Sequence, residues 1–100
     1  MTYLEILVVY DVSTVDEAGR KRLRAVARIC EGYGQRVQKS VFEVLASPAD
    51  WASLRARLQQ VIDAAHDSVR YYRLPTGALE SCIVEGRAAA TLENRGPWVL

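Results

Sequence analysis

The first apolar segment of the chain, residues 3–13, constrains the fold more than any other part of the sequence. It reads Tyr-Leu-Glu-Ile-Leu-Val-Val-Tyr-Asp-Val-Ser. Because side chains alternate along a β-strand, this segment has two apolar faces. They consist of Ile6, Val8 and Tyr10 on one side and of Leu7 and Val9 on the other. A strand that is apolar on both faces predicts a central strand covered on both sides.

Asp11 ends this apolar run just before the polar pair Ser13 and Thr14. A carboxylate held at the end of a rigid strand is well placed to bind a metal ion or a substrate, although the pattern alone favours an ordinary turn residue. One Asp11 per chain would be a poor cation site. Two, supplied by a dimer, would suit Mg²⁺, because this ion prefers one or two carboxylates and keeps several waters. Such an ion could activate water to attack a phosphodiester.

Two helices follow from capping signals and helical spacing. Thr14 and Glu17 form a capping box for the first helix, and the glycines of residues 32–34 predict a left-handed stop at its end. Ser47 and Pro48 are typical of the start of a second helix, which we expect to close at residues 66–67. Apolar residues at helical spacing define the buried stripes of the two helices, namely Leu23, Val26, Ala27 and Cys30, and Trp51, Leu54, Leu58, Val61, Ile62 and Ala65.

Extended segments lie between and after the helices. Residues 35–45 are either one long strand or two short strands broken near residues 39–40, with a bulge or kink. Residues 68–74 form a strand rich in β-branched and aromatic side chains. After a turn at residues 75–77, we expect a further short strand at residues 80–85.

This order of elements predicts an α+β fold, a ferredoxin-like βαββαβ sandwich with an extra C-terminal strand and a tail. The domain would span residues 1–86 and the tail residues 87–100. Because both helices would cover one sheet face, Leu7 and Val9 on the other face favour a homodimer that brings two Asp11 residues together. Its interface would include the last strand and residues 98–100. The predicted core is Ile6, Val8, Leu23, Val26, Ala27, Val44, Trp51, Leu54, Leu58, Val61 and Ile62.

Several classes of site are absent from the sequence. It has no Cys-x-x-Cys pair, no glycine-rich phosphate loop and no serine nucleophile motif. The single histidine, His66, is expected to serve as a favourable charge at a helix end. Cys30 and Cys82 are both expected to be small buried apolar residues and not a disulfide. With no signal peptide and no segment long enough to span a membrane, we expect a cytoplasmic, soluble protein.

The formal net charge is only +1, but the basic residues are unevenly distributed. Four arginines lie between residues 20 and 28, namely Arg20, Arg22, Arg24 and Arg28, and Arg36 and Lys39 follow. Charges on a helix face are usually only solvated. Arginine binds phosphate bidentately, however, so this cluster favours contact with a nucleic-acid backbone. Tyr10 and Phe42 could stack on bases, but core packing is the favoured use of both.

These residues resemble one family. The sequence Tyr-Asp-Val-Ser follows the first apolar strand at residues 10–13, Arg-Lys-Arg-Leu-Arg lies at 20–24, and Gly-Gln-Arg-Val-Gln-Lys-Ser-Val-Phe-Glu at 34–43. Together they resemble the Cas two family of CRISPR-associated adaptation proteins over almost the whole chain. The tyrosine-rich segment at residues 70–74 and the apolar tail resemble its subtype I-C branch.

The resemblance implies a ferredoxin-like homodimer that works with the integrase Cas one and holds the duplex DNA that becomes a new spacer. It also implies a metal-dependent endonuclease acting on single-stranded RNA or double-stranded DNA, with Mg²⁺ or Mn²⁺ as cofactor. By position, Asp11 matches the family's metal-binding and catalytic aspartate. Tyr10 precedes this aspartate as it does in the family. The positions implicated in nucleic-acid handling or cleavage match Arg20, Arg22, Arg36 and Phe42 here. With Tyr10 and with Arg24 of the basic cluster, they form the predicted nucleic-acid-binding set.

Three functions therefore stay open from the sequence. The first is a metal-dependent phosphodiesterase with paired Asp11 carboxylates. The second is a non-catalytic DNA-binding scaffold for the integrase, which needs only the dimer, the basic residues and a docking tail. The third is a ferredoxin-like regulatory domain, against which the arginine cluster argues.

Overall fold

The chain folds as a four-stranded antiparallel sheet with two helices, seen in a computed structural model that describes residues 2–86. The strand order is β2-β3-β1-β4, and each neighbouring pair is antiparallel. This arrangement confirms the predicted α+β ferredoxin-like order and the central place of the first strand. The elements are β1 Leu4–Asp11, α1 Glu17–Glu31, β2 Gly34–Gln38, β3 Val41–Ala46, α2 Pro48–Val61 and β4 Ser68–Leu74.

The two faces of β1 have different environments. Ile6 and Val8 are fully buried on the face that packs against the helices. On β3 they lie opposite Val44 and Phe42, which are also fully buried. Residues 7 and 9 on the other face are only half-buried, so helices cover one face of the sheet and not both. The predicted core is otherwise confirmed, with Leu23, Ala27, Trp51, Val61 and Ile62 partly buried at its margin.

Helix α1 begins and ends by other means than the sequence predicted. Its N-cap is Asp16, whose carboxylate accepts a hydrogen bond of 2.8 Å from the Gly19 N–H, so the Thr14 capping box is wrong. Gly32 has a right-handed φ of −74°, so the left-handed stop is also wrong. Gly34 instead begins β2, where a Cβ would lie 2.2 Å from the Glu43 carbonyl oxygen. Glycine is needed there for close strand approach.

Helix α2 starts as predicted and ends early. The Ser47 hydroxyl accepts the Asp50 N–H, and Pro48 opens the first turn. The helix stops at Val61, so closure at residues 66–67 is wrong. His66 lies beyond the helix and contacts the Asp63 carboxylate at 3.0 Å, because the chain turns back there toward β4.

The extended segments settle the open alternatives. Residues 35–45 form two strands, and a register irregularity lies between Arg36 and Gln38, as a bulge would produce. Strand β4 matches its prediction residue for residue. The predicted strand at 80–85 is wrong, since that segment has turn and irregular structure. The chain before this segment forms a turn in which Gly77 has a φ of +90°. The Glu5 carboxylate accepts hydrogen bonds from the N–H groups of Gly77 and Leu79 in this turn.

The cysteines divide between core and surface. Cys30 is buried as predicted, whereas Cys82 is exposed because the segment that carries it does not join the sheet, so its predicted burial is wrong. Both thiols are free. No helix within residues 2–86 is long and apolar enough to cross a membrane. The proposed docking tail, residues 87–100, lies outside the described residues.

Candidate nucleic-acid and metal site

Asp11 is the exposed last residue of β1, opposite Ser68 on β4. Among residues 2–86, no side chain or backbone N–H donates a hydrogen bond to its carboxylate. Pairing with Ser68 on β4 holds the backbone of Asp11 in place, while the side chain stays open to solvent. The carboxylate therefore projects from an ordered strand end and remains available to a ligand.

The donor set of one chain fits only half of a magnesium site. An exposed carboxylate is the hard oxygen ligand that Mg²⁺ prefers, and this ion accepts one or two of them together with water. Within the described residues, no group of three or more His, Cys, Asp or Glu side chains could hold a metal ion. Asp11 can thus contribute one ligand to such an ion.

Arg22, a predicted nucleic-acid contact, is used inside the protein. Its Nε lies 2.8 Å from the Asp67 Oδ2, and the Asp67 side chain is fully buried. Asp67 also accepts the N–H groups of Ser13 at 3.0 Å and Asp63 at 2.9 Å. The hydrogen bond from Arg22 is the main reason why the pKa of Asp67 falls from 3.8 to about 2, against the opposing effect of burial. This junction fixes the β1–α1 loop at Ser13, two residues after Asp11.

The other arginines of α1 are exposed. Arg20 lies 3.0 Å from one carboxylate oxygen of Glu17, and Arg24 lies 3.4 Å from the other. Ion pairs this exposed contribute little to stability and exchange readily with other partners. Both guanidinium groups therefore remain available to phosphate.

Tyr10 and Phe42 are core residues. Phe42 is fully buried, and its ring stacks with that of Tyr10 at a centroid distance of 6.1 Å. The Tyr10 hydroxyl donates to the Lys39 carbonyl at 3.1 Å, and burial raises the pKa of this phenol. Arg36 covers the Phe42 ring at 5.2 Å. In this arrangement neither ring offers a face to a base, which agrees with the core packing that the sequence favoured.

The structure brings together only part of the predicted set. Tyr10, Arg24 and Arg36 line one cavity between α1 and the β2–β3 hairpin. Arg22 is held at the Asp67 junction, and Asp11 is on the opposite face of the sheet from the Tyr10 side chain.

Comparison with known proteins identifies the family. The sequence profile described as "CRISPR associated protein Cas2" matches residues 4–81. The chain belongs to the Cas2 family. It is 62% identical over 69 residues to "CRISPR-associated endoribonuclease Cas2 3" of Rhodospirillum rubrum, covering 69% of this chain and 73% of that protein. It is 50% identical over 95 residues to "CRISPR-associated endoribonuclease Cas2 1" of Moorella thermoacetica, covering 95% of this chain and 98% of that protein.

A solved Cas2 structure supports the same fold. The crystal structure of Streptococcus pyogenes Cas2 at pH 6.5 is 48% identical, with a TM-score of 0.73, and the match covers 82% of this chain and 99% of that one. The resemblance to this family noted in the sequence is therefore confirmed. Assignment to subtype I-C stays a prediction.

Sequence reasoning on this Cas2 chain missed two features. Asp67 was expected only to end a helix, yet it joins the β1–α1 loop to the start of β4. Its partner Arg22 is 45 residues away, and no local pattern connects the two. Lys39 was expected among the basic residues and, with Ser40, at a strand break, yet the two form one wall of the cavity. The bulge signal near that break was the one indication of an unusual turn.

Proposed function

We propose that two copies of this Cas2 chain form a dimer that binds nucleic acid and hydrolyses its phosphodiester bonds, with Mg²⁺ or Mn²⁺ held between the two Asp11 carboxylates. The observation that carries this proposal is the exposed carboxylate of Asp11, which has no partner among residues 2–86 and sits at the end of a central strand. The names of the relatives, several endoribonucleases and one endonuclease from Halalkalibacterium halodurans, support a nuclease.

The dimer would form through the sheet face that the helices leave open. Register places Leu7, Val9, Val41 and Leu45 on this face, and each is half-buried in one chain. Tyr72, opposite Leu7 on β4, is 46% exposed. Covering these apolar side chains with a second copy removes them from water. Two-fold symmetry then pairs equivalent residues, including the two Asp11 side chains at the ends of the β1 strands.

Each part of the site has a defined task in the reaction. When bound, the metal ion would lower the pKa of a coordinated water and stabilise charge on the phosphate. The Asp11 carboxylates would hold the ion, and the rigid β1 backbone would fix their spacing. Exposed cations on α1 and β2, including Arg20, Arg24 and Arg36, would hold the phosphates of the strand. Single-stranded RNA is the first substrate to test and double-stranded DNA the second.

The test is cleavage of labelled RNA and duplex DNA with Mg²⁺, with Mn²⁺ and with chelator. Asp11→Asn keeps the size of the side chain and removes the charge, so we expect metal-dependent cleavage to fall by more than about a hundredfold. Asp50→Asn, a similarly exposed aspartate on α2, is the matched control and should cleave normally. Equal cleavage by the wild type and Asp11→Asn would refute the proposed site.

Mixed dimers test whether the site is shared. Wild-type and Asp11→Asn chains carrying different tags can be co-expressed and the heterodimer purified. If one ion needs both carboxylates, the heterodimer should be as inactive as the dimer that carries Asp11→Asn in both chains. Activity near half that of the wild type would mean that each chain holds its own metal.

A second candidate is a non-catalytic scaffold that presents double-stranded DNA to the Cas one integrase during spacer acquisition. The exposed arginines favour it, and it requires no metal ligand. Asp11→Asn would then leave DNA binding and spacer acquisition intact. Reversing the charge of Arg20, Arg24 and Arg36 would weaken binding and flatten its salt dependence. Removal of residues 87–100 is expected to weaken the dimer or its integrase complex.

A further inference from the structure

A cavity of about 420 Å³ lies between α1 and the β2–β3 hairpin. One wall is apolar and consists of Leu23 and Ala27 on α1. Three cationic side chains, Arg24, Arg36 and Lys39, also line the cavity, and no acidic residue does. Its volume falls within the range of small-molecule sites, roughly 300–1,000 Å³. The cavity thus combines an apolar surface with a concentration of positive charge.

The walls of the cavity are held in place by the core. Tyr10 fixes the hairpin turn twice, because its hydroxyl donates to the Lys39 carbonyl at 3.1 Å and its backbone N–H donates to the Ser40 carbonyl at 3.0 Å. Arg36 rests on the buried Phe42 ring at 5.2 Å. Groups held in this way before a ligand arrives lose less freedom on binding. The turn and the Arg36 guanidinium are therefore suited to a defined ligand.

We propose that this cavity binds one nucleoside monophosphate unit, with the phosphate on Arg36 and Lys39 and the base against Leu23 and Ala27. Arginine binds phosphate through two parallel hydrogen bonds, and an apolar wall suits the face of a base. A bare phosphate would leave the apolar wall unused, and a neutral apolar ligand would leave the cations unused. Arg24 can join the phosphate because its exposed contact with Glu17, at 3.4 Å, is weak.

Two sources share this chemistry, a free nucleotide and an unpaired nucleotide at the end of a strand. The second source deepens the proposed nuclease function and rests on it, because it makes the cavity the place where a strand end is recognised. Binding of a free nucleotide does not depend on cleavage. The cavity and the Asp11 site can therefore fail separately.

The first experiment titrates the wild-type protein, in chelator, with AMP, CMP, adenosine and inorganic phosphate, followed by NMR amide shifts. AMP should bind at least about tenfold more tightly than phosphate or adenosine alone, because only AMP meets both walls. Arg36→Gln and Lys39→Gln should each weaken AMP about tenfold. Arg28→Gln is the control, because Arg28 is an exposed arginine of α1 that does not line the cavity. This variant should bind AMP as the wild type does.

A charge-neutral variant separates a cavity from simple attraction between charges. Ala27→Met fills the apolar part of the cavity without changing any charge, so it should weaken AMP while leaving the affinity for inorganic phosphate unchanged. Equal binding of AMP and phosphate, or an Ala27→Met variant that binds AMP as the wild type does, would overturn the proposal. Lys39→Gln keeps the assay informative if a helix substitution disturbs folding, because the Lys39 side chain is exposed.

Competition distinguishes the two sources. A 5′-phosphorylated duplex with a one-nucleotide overhang should displace AMP more effectively than a blunt duplex if the cavity receives a strand end. Equal displacement by both duplexes would assign the cavity to free nucleotides. If Asp11→Asn loses cleavage but still binds AMP, the metal site and the cavity act independently. If the wild type cleaves normally but shows no preference for AMP over phosphate, the cavity proposal is refuted and the nuclease proposal stands.

Discussion

Two aspartates at one end of the sheet have opposite environments. Asp11 ends β1 and pairs in register with Ser68, the residue directly after Asp67. The Asp67 carboxylate is buried and is bonded to Arg22 and to the N–H groups of Ser13 and Asp63. The Asp11 carboxylate is exposed and has no such donor among the described residues. We call the buried carboxylate and its three partners the Asp67 junction, and the exposed end of β1 the Asp11 strand end.

The difference separates a structural carboxylate from a candidate functional one. A buried charge is tolerated only when its hydrogen-bonding capacity is filled, and Asp67 meets this condition with groups from three parts of the chain. Its negative charge is paired and hydrogen-bonded inside the fold. The Asp11 carboxylate makes no such contact among the described residues, although Asp11 belongs to the central strand. The fold would tolerate the loss of Asp11, whereas it depends on Asp67.

Removing the Asp67 side chain is the strongest test of this comparison. Asp67→Ala leaves Arg22 without its partner and two backbone N–H groups without an acceptor, so we expect a loss of about 3 kcal/mol in the free energy of unfolding. Urea denaturation measures it. Asp67→Asn should lose less, because its amide oxygen can still accept one of the two backbone N–H bonds. A loss below about 1 kcal/mol for Asp67→Ala would mean that solvent replaces the junction.

Close packing behind the same junction gives a second, smaller test. A Cβ on Gly19 would lie 2.0 Å from the Ser13 carbonyl oxygen, closer than any real contact. Gly19→Ala should therefore move α1 away from the loop and cost about 2 kcal/mol. Gly32→Ala is the matched control, since its Cβ would meet only the Ile29 carbonyl at 3.3 Å and its φ is −74°. Equal unfolding midpoints for the two variants would argue against tight packing at Gly19.

The sequence predicted the strand end better than the junction. Asp11 follows a run that is apolar on both strand faces, so local pattern alone placed it at the end of a central strand. The Arg22–Asp67 pair joins residues 45 positions apart, and only the folded chain brings them together. Periodicity predicts which residues face the core, but it carries no information about long-range partners of single charges.

The wrong elements have a related cause. Residues 80–85 have a strand-like composition, yet the turn before them is held by Glu5, which is more than 70 positions earlier in the chain. The capping box at Thr14 and Glu17 is a valid local signal, but the helix begins two residues later, where Asp16 accepts the Gly19 N–H and caps it. Local rules thus predicted the presence of the helices and four strands, but not the exact start of α1 or the turn that Glu5 holds after β4.

The pH dependence of stability also tests the role of Asp67, because its pKa is about 2 in the folded protein and 3.8 ordinarily. A carboxyl with a depressed folded-state pKa stabilises the fold above its unfolded pKa, and this contribution is lost as the pH falls through the folded value. Between about pH 4 and pH 2, the wild type should lose up to about 2 kcal/mol relative to Asp67→Asn. Unfolding curves at several pH values measure this, and parallel losses in both proteins would contradict it.

The smallest expected effect on stability is at Asp11. Because its exposed carboxylate has no partner in the described part of the fold, Asp11→Asn should change the free energy of unfolding by less than about 0.5 kcal/mol. Measured beside Asp67→Asn in the same urea titrations, it should therefore be the more stable variant, although it is the one expected to abolish cleavage. Chelator should reproduce its loss of activity in the wild type. A marked loss of stability in Asp11→Asn would mean that this carboxylate is structural, as that of Asp67 is.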